Sequence, residues 1–304
     1  MMRPRVIGAA MLVAVVPLFF VDLETLGVYA PPELHAVAHV AVFALLAYLL
    51  MGVSVLRSLP FARRGVAVVV LVVVVSVVVE LIQPYLGRSA SVRDVAQNLV
   101  GASAGIALAA PVGRQRALLG GIAGVLVVLA LAMPVVGLWD RAVARTQFPV
   151  LGDFETRFEH RRWSSGAPDG TVARSGARSL YVELSPGRYA GTTLRRSFGD
   201  WREYTHLDIS LFNPDTEPLT FSVSIRDGEH FRRGGHYPDR YNGRFMISPG
   251  WNDLRIPVEQ IRTAPQSREL NLSDIAEMAI FTVNLTQPRL IHLDRVKLTR
   301  NGPL

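Results

Sequence analysis

The chain contains no cysteine. Disulfides, thiol nucleophiles and thiolate metal sites are excluded, and any exported part must fold without a covalent staple. Lysine is almost missing as well: Lys297 is the only one, so the formal net charge of +7 rests on arginine. Those arginines are scattered rather than gathered into the basic patch that a phosphate backbone requires, which argues against a nucleic-acid partner. Charge is also sparse before residue 140, where nearly all the long apolar runs lie. The two halves of the chain are written for different solvents.

Crossing about 30 Å of hydrocarbon takes roughly 20 apolar residues as a helix. Five runs qualify, at about 6–21, 34–56, 65–83, 94–112 and 117–138. The third, "VAVVVLVVVVSVVVELI", is nearly all valine. Valine suits strands in water, but a run this long and apolar can satisfy its own backbone in lipid only as a helix. The first run follows "MMRPR" without a clear small-residue cleavage site before Pro31, and is read as a retained helix rather than a signal peptide.

Arginine sets the expected orientation. Arg3 and Arg5 precede the first run, Arg57, Arg63 and Arg64 follow the second, and Arg114 and Arg116 follow the fourth. The first outer loop carries Asp22, Glu24 and Glu33 instead. By the positive-inside rule the N-terminus is cytoplasmic and everything after Trp139 lies outside. Gly101 with Gly105, and Gly120 with Gly124, have the spacing that lets helices approach closely in lipid.

The hairpin "ELIQPYLGRSASVRDVAQN" (80–98) breaks the apolar pattern at the outer face. Glu80 and Gln83 share one helix face, Asp94 and Asn98 share another, and His35 and His39 stand at i, i+4 on the second helix. Arg88 and Arg93 are the basic exceptions in an outer loop. Ionisable groups at membrane depth face the bundle interior and find partners. These eight residues are therefore expected to form a polar pocket. Two plainer readings stand beside it: Ser91 and Asp94 also fit a capping box, and Glu80 with an arginine fits a structural clasp.

"HVAVFALLAYLL" followed by "ELIQPYLGRSASVRDVAQNLVGASAG" resembles the VanZ-like family of bacterial membrane proteins. Glu80, Gln83, Arg88, Asp94, Asn98, Gly101 and Gly105 carry the resemblance, which covers about residues 5–112. The family's usual Asp-Lys before its histidine is replaced here by His35 and Ala36. The resemblance implies a multi-pass helical bundle in the bacterial cytoplasmic membrane and a link to glycopeptide-antibiotic tolerance.

Beyond about residue 150, continuous apolar runs give way to alternation. "LDISLF" (207–212), "FSVSIR" (221–226) and "LIHLDRVKL" (290–298) place apolar residues at every second position. With "SLYVEL", "TTLRRSF", "NDLRIPV" and "MAIFTV", about nine strands are expected, enough for a two-sheet antiparallel sandwich. "DFE" (153–155), "DWREYTHLDISLFNP", "PGWNDLRIPV" and "IHLDRVKL" resemble the galactose-binding-like jelly rolls found as carbohydrate-binding modules. That resemblance implies a structural calcium, for which Asp153, Glu155 and Asp294 are the candidate donors. The loop 226–245 mixes Phe231, His236, Tyr237 and Tyr241 with Asp239, Arg240 and Asn242, the aromatic and planar polar groups that sugars need.

The expected architecture is a helical membrane bundle over 1–139, a stem over 140–152 and an all-β jelly-roll sandwich over 153–304. The expected function is binding of an envelope glycan or lipid-linked precursor at the outer face, with membrane lipid as the other partner. The alternative is a membrane enzyme that modifies an envelope lipid or glycan in the Glu80–Asn98 pocket. No nucleophile, base and oxyanion set is apparent in the sequence, so no catalytic residue is assigned.

Overall fold

The computed structural model describes residues 32–86, 91–195 and 199–300. The first apolar run and Arg88 lie outside them. The chain divides into two compact units, Met1–Leu138 and Trp139–Leu304.

The first unit is helical. Helix α1 (Pro32–Leu50) is followed by a single turn, then by α2 (Phe61–Ile82), α3 (Val92–Ala109) and α4 (Arg114–Gln147). Among the described residues three helical stretches are long and apolar enough to cross a membrane: Glu33–Leu50, Phe61–Tyr85 and Arg114–Gln147. The 22 residues of α2 rise about 33 Å, one bilayer core. Its exposed face is valine and leucine, with Val66, Val70, Val74, Val78 and Leu81 all open. Such a surface is costly in water and at home in lipid.

Helix α3 differs because it carries small and polar residues toward its neighbours, burying Gln97, Asn98, Gly101, Ala102 and Gly105. A Cβ at Gly101 would collide with the Val40 carbonyl of α1, and one at Gly105 with that of Ala44. These two glycines therefore let the α1 and α3 backbones touch, as their spacing predicts. Gly120 and Gly124 have the same spacing, yet an added Cβ would meet nothing within 4 Å among the described residues. Within the expected stem, α4 continues to Gln147, with Pro134 inside the helix, and strand β1 (Val150–Gly152) follows two residues later.

The second unit is a β-sandwich. One sheet holds β2 (Ala167–Asp169), β3 (Ser179–Leu184), β10 (Arg289–Thr299), β5 (His206–Asn213) and β8 (Gly250–Pro257) in that spatial order, with β1 also pairing β10. The other runs β4 (Gly187–Arg195), β9 (Ile275–Leu285), β6 (Leu219–Asp227) and β7 (Tyr241–Ile247). All pairings among them are antiparallel. Leu180, Val182 and Ile209 of the first sheet and Phe221, Val223 and Ile280 of the second join one core. Alternation puts these residues inward and their neighbours outward. Two short helices, α5 (Gly228–Arg232) and α6 (Val258–Arg262), cap strand ends.

Residues 226–245, expected to be a loop, are a correction, since they contain α5 and most of β7. Tyr241 and Ile247 point to the core while Asn242, Arg244 and Met246 are exposed.

Candidate functional site

The α1–α3 contact carries a buried polar chain. His39 Nδ1 donates to Asn98 Oδ1 at 2.7 Å, and Asn98 Nδ2 donates to Ser76 Oγ on α2 at 2.9 Å. His39 Nε2 faces Asp94 Oδ2 at 3.6 Å. Three helices are thus tied by side chains that lipid could not solvate. Ser91 caps α3 by accepting from the Asp94 amide, which frees the Asp94 carboxylate to face His39. Glu80 Oε2 accepts from the Ser91 amide at 2.6 Å, and its Oε1 is buried without a hydrogen-bond partner among the described residues. Gln83 is buried beside this end of α2, and Arg93 and His35 lie on α3 and α1. Ser76 and Gln97 belong to the buried polar set but were not singled out in the sequence. Ser76 lies one turn before Glu80 inside the valine run, and that i, i+4 spacing is the signal that identifies it.

On the sandwich, the outer face of the four-stranded sheet holds a cleft of about 400 Å³. Its walls include Tyr189 and Phe281, whose rings meet edge to face at 5.7 Å, together with Thr193, Arg226, Arg240 and Glu277. Cross-strand register builds it. Thr193 lies opposite Ala279, which lies opposite Ser224, and Gly191, Phe281 and Ser222 form the next row. Small residues make the floor, so the space above the sheet stays open. Gly191 is required there, because a Cβ would run into Ile280 O and the Phe281 backbone. Arg226 and Glu277 pair across the face, and Arg240 lies 4.9 Å above the Tyr237 ring.

The candidates of the 226–245 segment separate into two groups. Arg240 lines the cleft, Tyr237 stacks on it, and Asn242 Nδ2 donates to Tyr237 O at 3.4 Å. Phe231 and His236 are exposed. Asp239 and Tyr241 are buried, and Asp239 accepts from Arg268 Nε at 2.6 Å. Arg268 also bonds Asp227 Oδ1 at 2.8 Å, and His230 Nδ1 reaches Asp239 O at 2.9 Å. Burial pushes the Asp227 carboxyl up, but Arg268 and the amides of Asn271 and His230 outweigh it and hold it below the usual range. Arg268 likewise lowers Asp239. This network anchors the segment beneath its exposed residues.

Two of the three candidate calcium donors, Asp294 and Glu155, meet one loop. Asp294 Oδ2 accepts from the amides of Arg174 and Ser175 at 2.7 and 3.0 Å, and Glu155 Oε1 from those of Ala177 and Arg178 at 2.8 and 2.9 Å. Burial, and secondarily the Glu155 charge, pushes the Asp294 carboxyl up despite those amides. Asp153 lies beside Glu159, whose carboxyl burial and the Asp153 charge push up. Among the described residues no three of His, Cys, Asp and Glu are grouped to hold a metal. Backbone amides bond both Asp294 oxygens and one Glu155 oxygen in this arrangement.

A second aromatic row, Tyr181, His292, Phe212 and Trp251, crosses the outer face of the larger sheet at centroid spacings of 5.7, 5.8 and 5.3 Å. His292 at its middle is only 4% exposed and meets both neighbouring rings edge-on. The other three rings are partly exposed.

No curated protein matches the chain significantly. Among solved structures, the family 11 carbohydrate-binding module from Clostridium thermocellum, in complex with a β-1,3-1,4-mixed-linked tetrasaccharide, is similar at 16% identity. Its TM-score is 0.37, and the match covers 50% of this chain and 94% of that one. An exo-β-agarase is similar at 14% identity and a TM-score of 0.41, with 51% of this chain and 25% of that chain covered. The VanZ/LLP1 family model matches residues 8–113, and this membrane protein carries a VanZ-like domain over that segment.

Proposed function

We propose that the protein is an envelope receptor of the bacterial cytoplasmic membrane, in which the sandwich binds a cell-envelope glycan or lipid-linked precursor through the cleft on its four-stranded sheet. The cleft carries this reading. It offers two aromatic rings, a floor of small residues and several planar hydrogen-bonding groups lining one open space. Aromatic faces take the C–H side of a sugar ring, while guanidinium, carboxylate and hydroxyl groups satisfy its hydroxyls. Exposed Tyr237 extends the aromatic wall beside Arg240. In this reading the membrane domain crosses five times, the N-terminus is cytoplasmic and the sandwich, a jelly roll, faces outward.

The test is retention of the full-length, detergent-solubilised protein on purified envelope glycan, with soluble glycan as competitor. Retention that the competitor abolishes supports the reading. Failure to bind any envelope glycan contradicts it.

One observation favours a second reading, an enzyme acting on an envelope lipid or glycan. Glu80 Oε1 is buried with no hydrogen-bond partner among the described residues, next to the His39–Asn98–Ser76 chain. A carboxylate oxygen held ready in an apolar site is suited to proton transfer. Glu80→Gln keeps the shape, so an enzymatic role predicts normal protein level with loss of the envelope phenotype. Loss of level together with phenotype assigns Glu80 to structure.

A further inference from the structure

The face around the cleft is unequally charged. Register sets Arg195, Glu277 and Arg226 in one row, and Arg244 opposite Ser222 two rows away. Arg240 joins them just before β7. Among the described strand residues of this face Glu277 is the one carboxylate, and Arg226 already engages it. Arg240 is half-buried and stacked on Tyr237, and among the described residues neither its Nε nor the buried Nε of Arg226 has a hydrogen-bond partner. Burial, and secondarily the Arg226 charge, pushes the Arg240 guanidinium down from its ordinary value.

A desolvated guanidinium facing a like charge is destabilising unless an anion joins it. Neutral hydroxyls can accept hydrogen bonds from Arg240, but they leave the charge uncompensated. A planar carboxylate or a phosphate meets both needs, because it accepts from the guanidinium edge and cancels its charge. We propose that the cleft selects an acidic glycan, one whose sugars carry carboxylate or phosphate, with Arg240 holding the anion and Tyr189 and Phe281 holding the ring. The proposal rests on the glycan-binding reading of the same cleft and narrows it to one ligand class.

The test uses the full chain in nanodiscs of uncharged lipid, titrated with four probes. Polygalacturonate carries carboxylates, phosphomannan carries phosphates, a mixed-linkage β-glucan is neutral, and polyglutamate is an anion without sugar. An acidic glycan is expected to bind at least about tenfold tighter than the neutral one, with a preference that shrinks as salt rises. Comparing the first two probes tells carboxylate from phosphate. Arg240→Gln should lose about tenfold more for the acidic probe than for the neutral one, which loses only a hydrogen bond. Arg240→Lys should keep part of the preference, which separates charge from misfolding. Arg202→Gln, an exposed site outside the cleft, should change neither.

Equal binding of neutral and acidic glycan, or a preference that survives in Arg240→Gln, overturns the proposal and leaves glycan binding standing. Polyglutamate binding as tightly as the acidic glycans overturns both, as does failure of every glycan to bind.

Discussion

Asn98 joins three helices with one amide. Its oxygen accepts a hydrogen bond from His39 Nδ1 and its nitrogen donates to Ser76 Oγ, all at positions 0–2% exposed. Asn98→Ala removes both of these buried bonds, so we expect a loss of about 1–3 kcal/mol, read as a lower melting temperature in detergent. Arg268 plays the same part in the sandwich. Arg268→Met abandons Asp227, which is fully buried, and Asp239, with an expected cost of about 3–5 kcal/mol. Because Arg268 helps hold both carboxyls below their ordinary value of 3.8, they add stability above that pH and lose it as pH falls through their folded values. The variant should therefore unfold at a higher pH in acid titration than the parent. In the sequence Asp239 looked like a ligand contact because its partner is 29 residues away. Local spacing shows that a carboxylate is present, but only the fold shows what neutralises it.

At the scale of elements, the α1–α3 contact depends on backbone against backbone. Gly105→Val would drive Cβ into the Ala44 carbonyl, whereas a Cβ at Gly120 meets nothing within 4 Å among the described residues. Overpacking of this kind costs about 1–3 kcal/mol or more. We expect Gly105→Val to lower protein level and melting temperature, and Gly120→Val to leave both near the parent values. Sequence spacing found both pairs alike and could not say which one is used. Strand alternation was legible for β5, β6 and β10, yet β7 was read as loop because Gly243 interrupts its pattern and "GGHYPDR" precedes it. Tyr189, Glu277 and Phe281 sit at outward positions that alternation alone marks as solvated. Only the pairing of β4 with β9 turns them into a cleft wall. The 172–178 loop provides a further check. If its amides suffice for Asp294 and Glu155, a chelator will leave the sandwich's melting temperature unchanged. A chelator-induced fall that added calcium reverses would assign these carboxylates to a metal.

For the whole molecule, the division into a lipid-facing unit and a water-facing one was plain from composition, since apolar runs and alternating strands hardly overlap in the chain. Where one ends and the other begins was less plain. Helix α4 runs on through the polar residues that looked like a stem, and its Asp140 takes two hydrogen bonds from Arg162 at 2.8 and 2.9 Å. A polar composition reads as linker when its partner is distant in sequence. Orientation is still tied to the arginine loops: a reporter active only outside the cytoplasm should work after residue 140 and be silent near Arg63, and the reverse would invert the proposed topology.

The cleft on the four-stranded sheet is the proposed site for envelope glycan. Its most direct test is a binding isotherm of the full-length protein on isolated envelope glycan, for the parent and for Tyr189→Ala combined with Phe281→Ala. Both rings lie on the outer face, so removing them should spare the core, and an unchanged melting temperature would verify this. The account predicts saturable binding by the parent and a loss of at least about tenfold in the double variant, as expected for aromatic anchors at the centre of a site. Binding that is equally tight without the two rings, or absent from the parent, would contradict it.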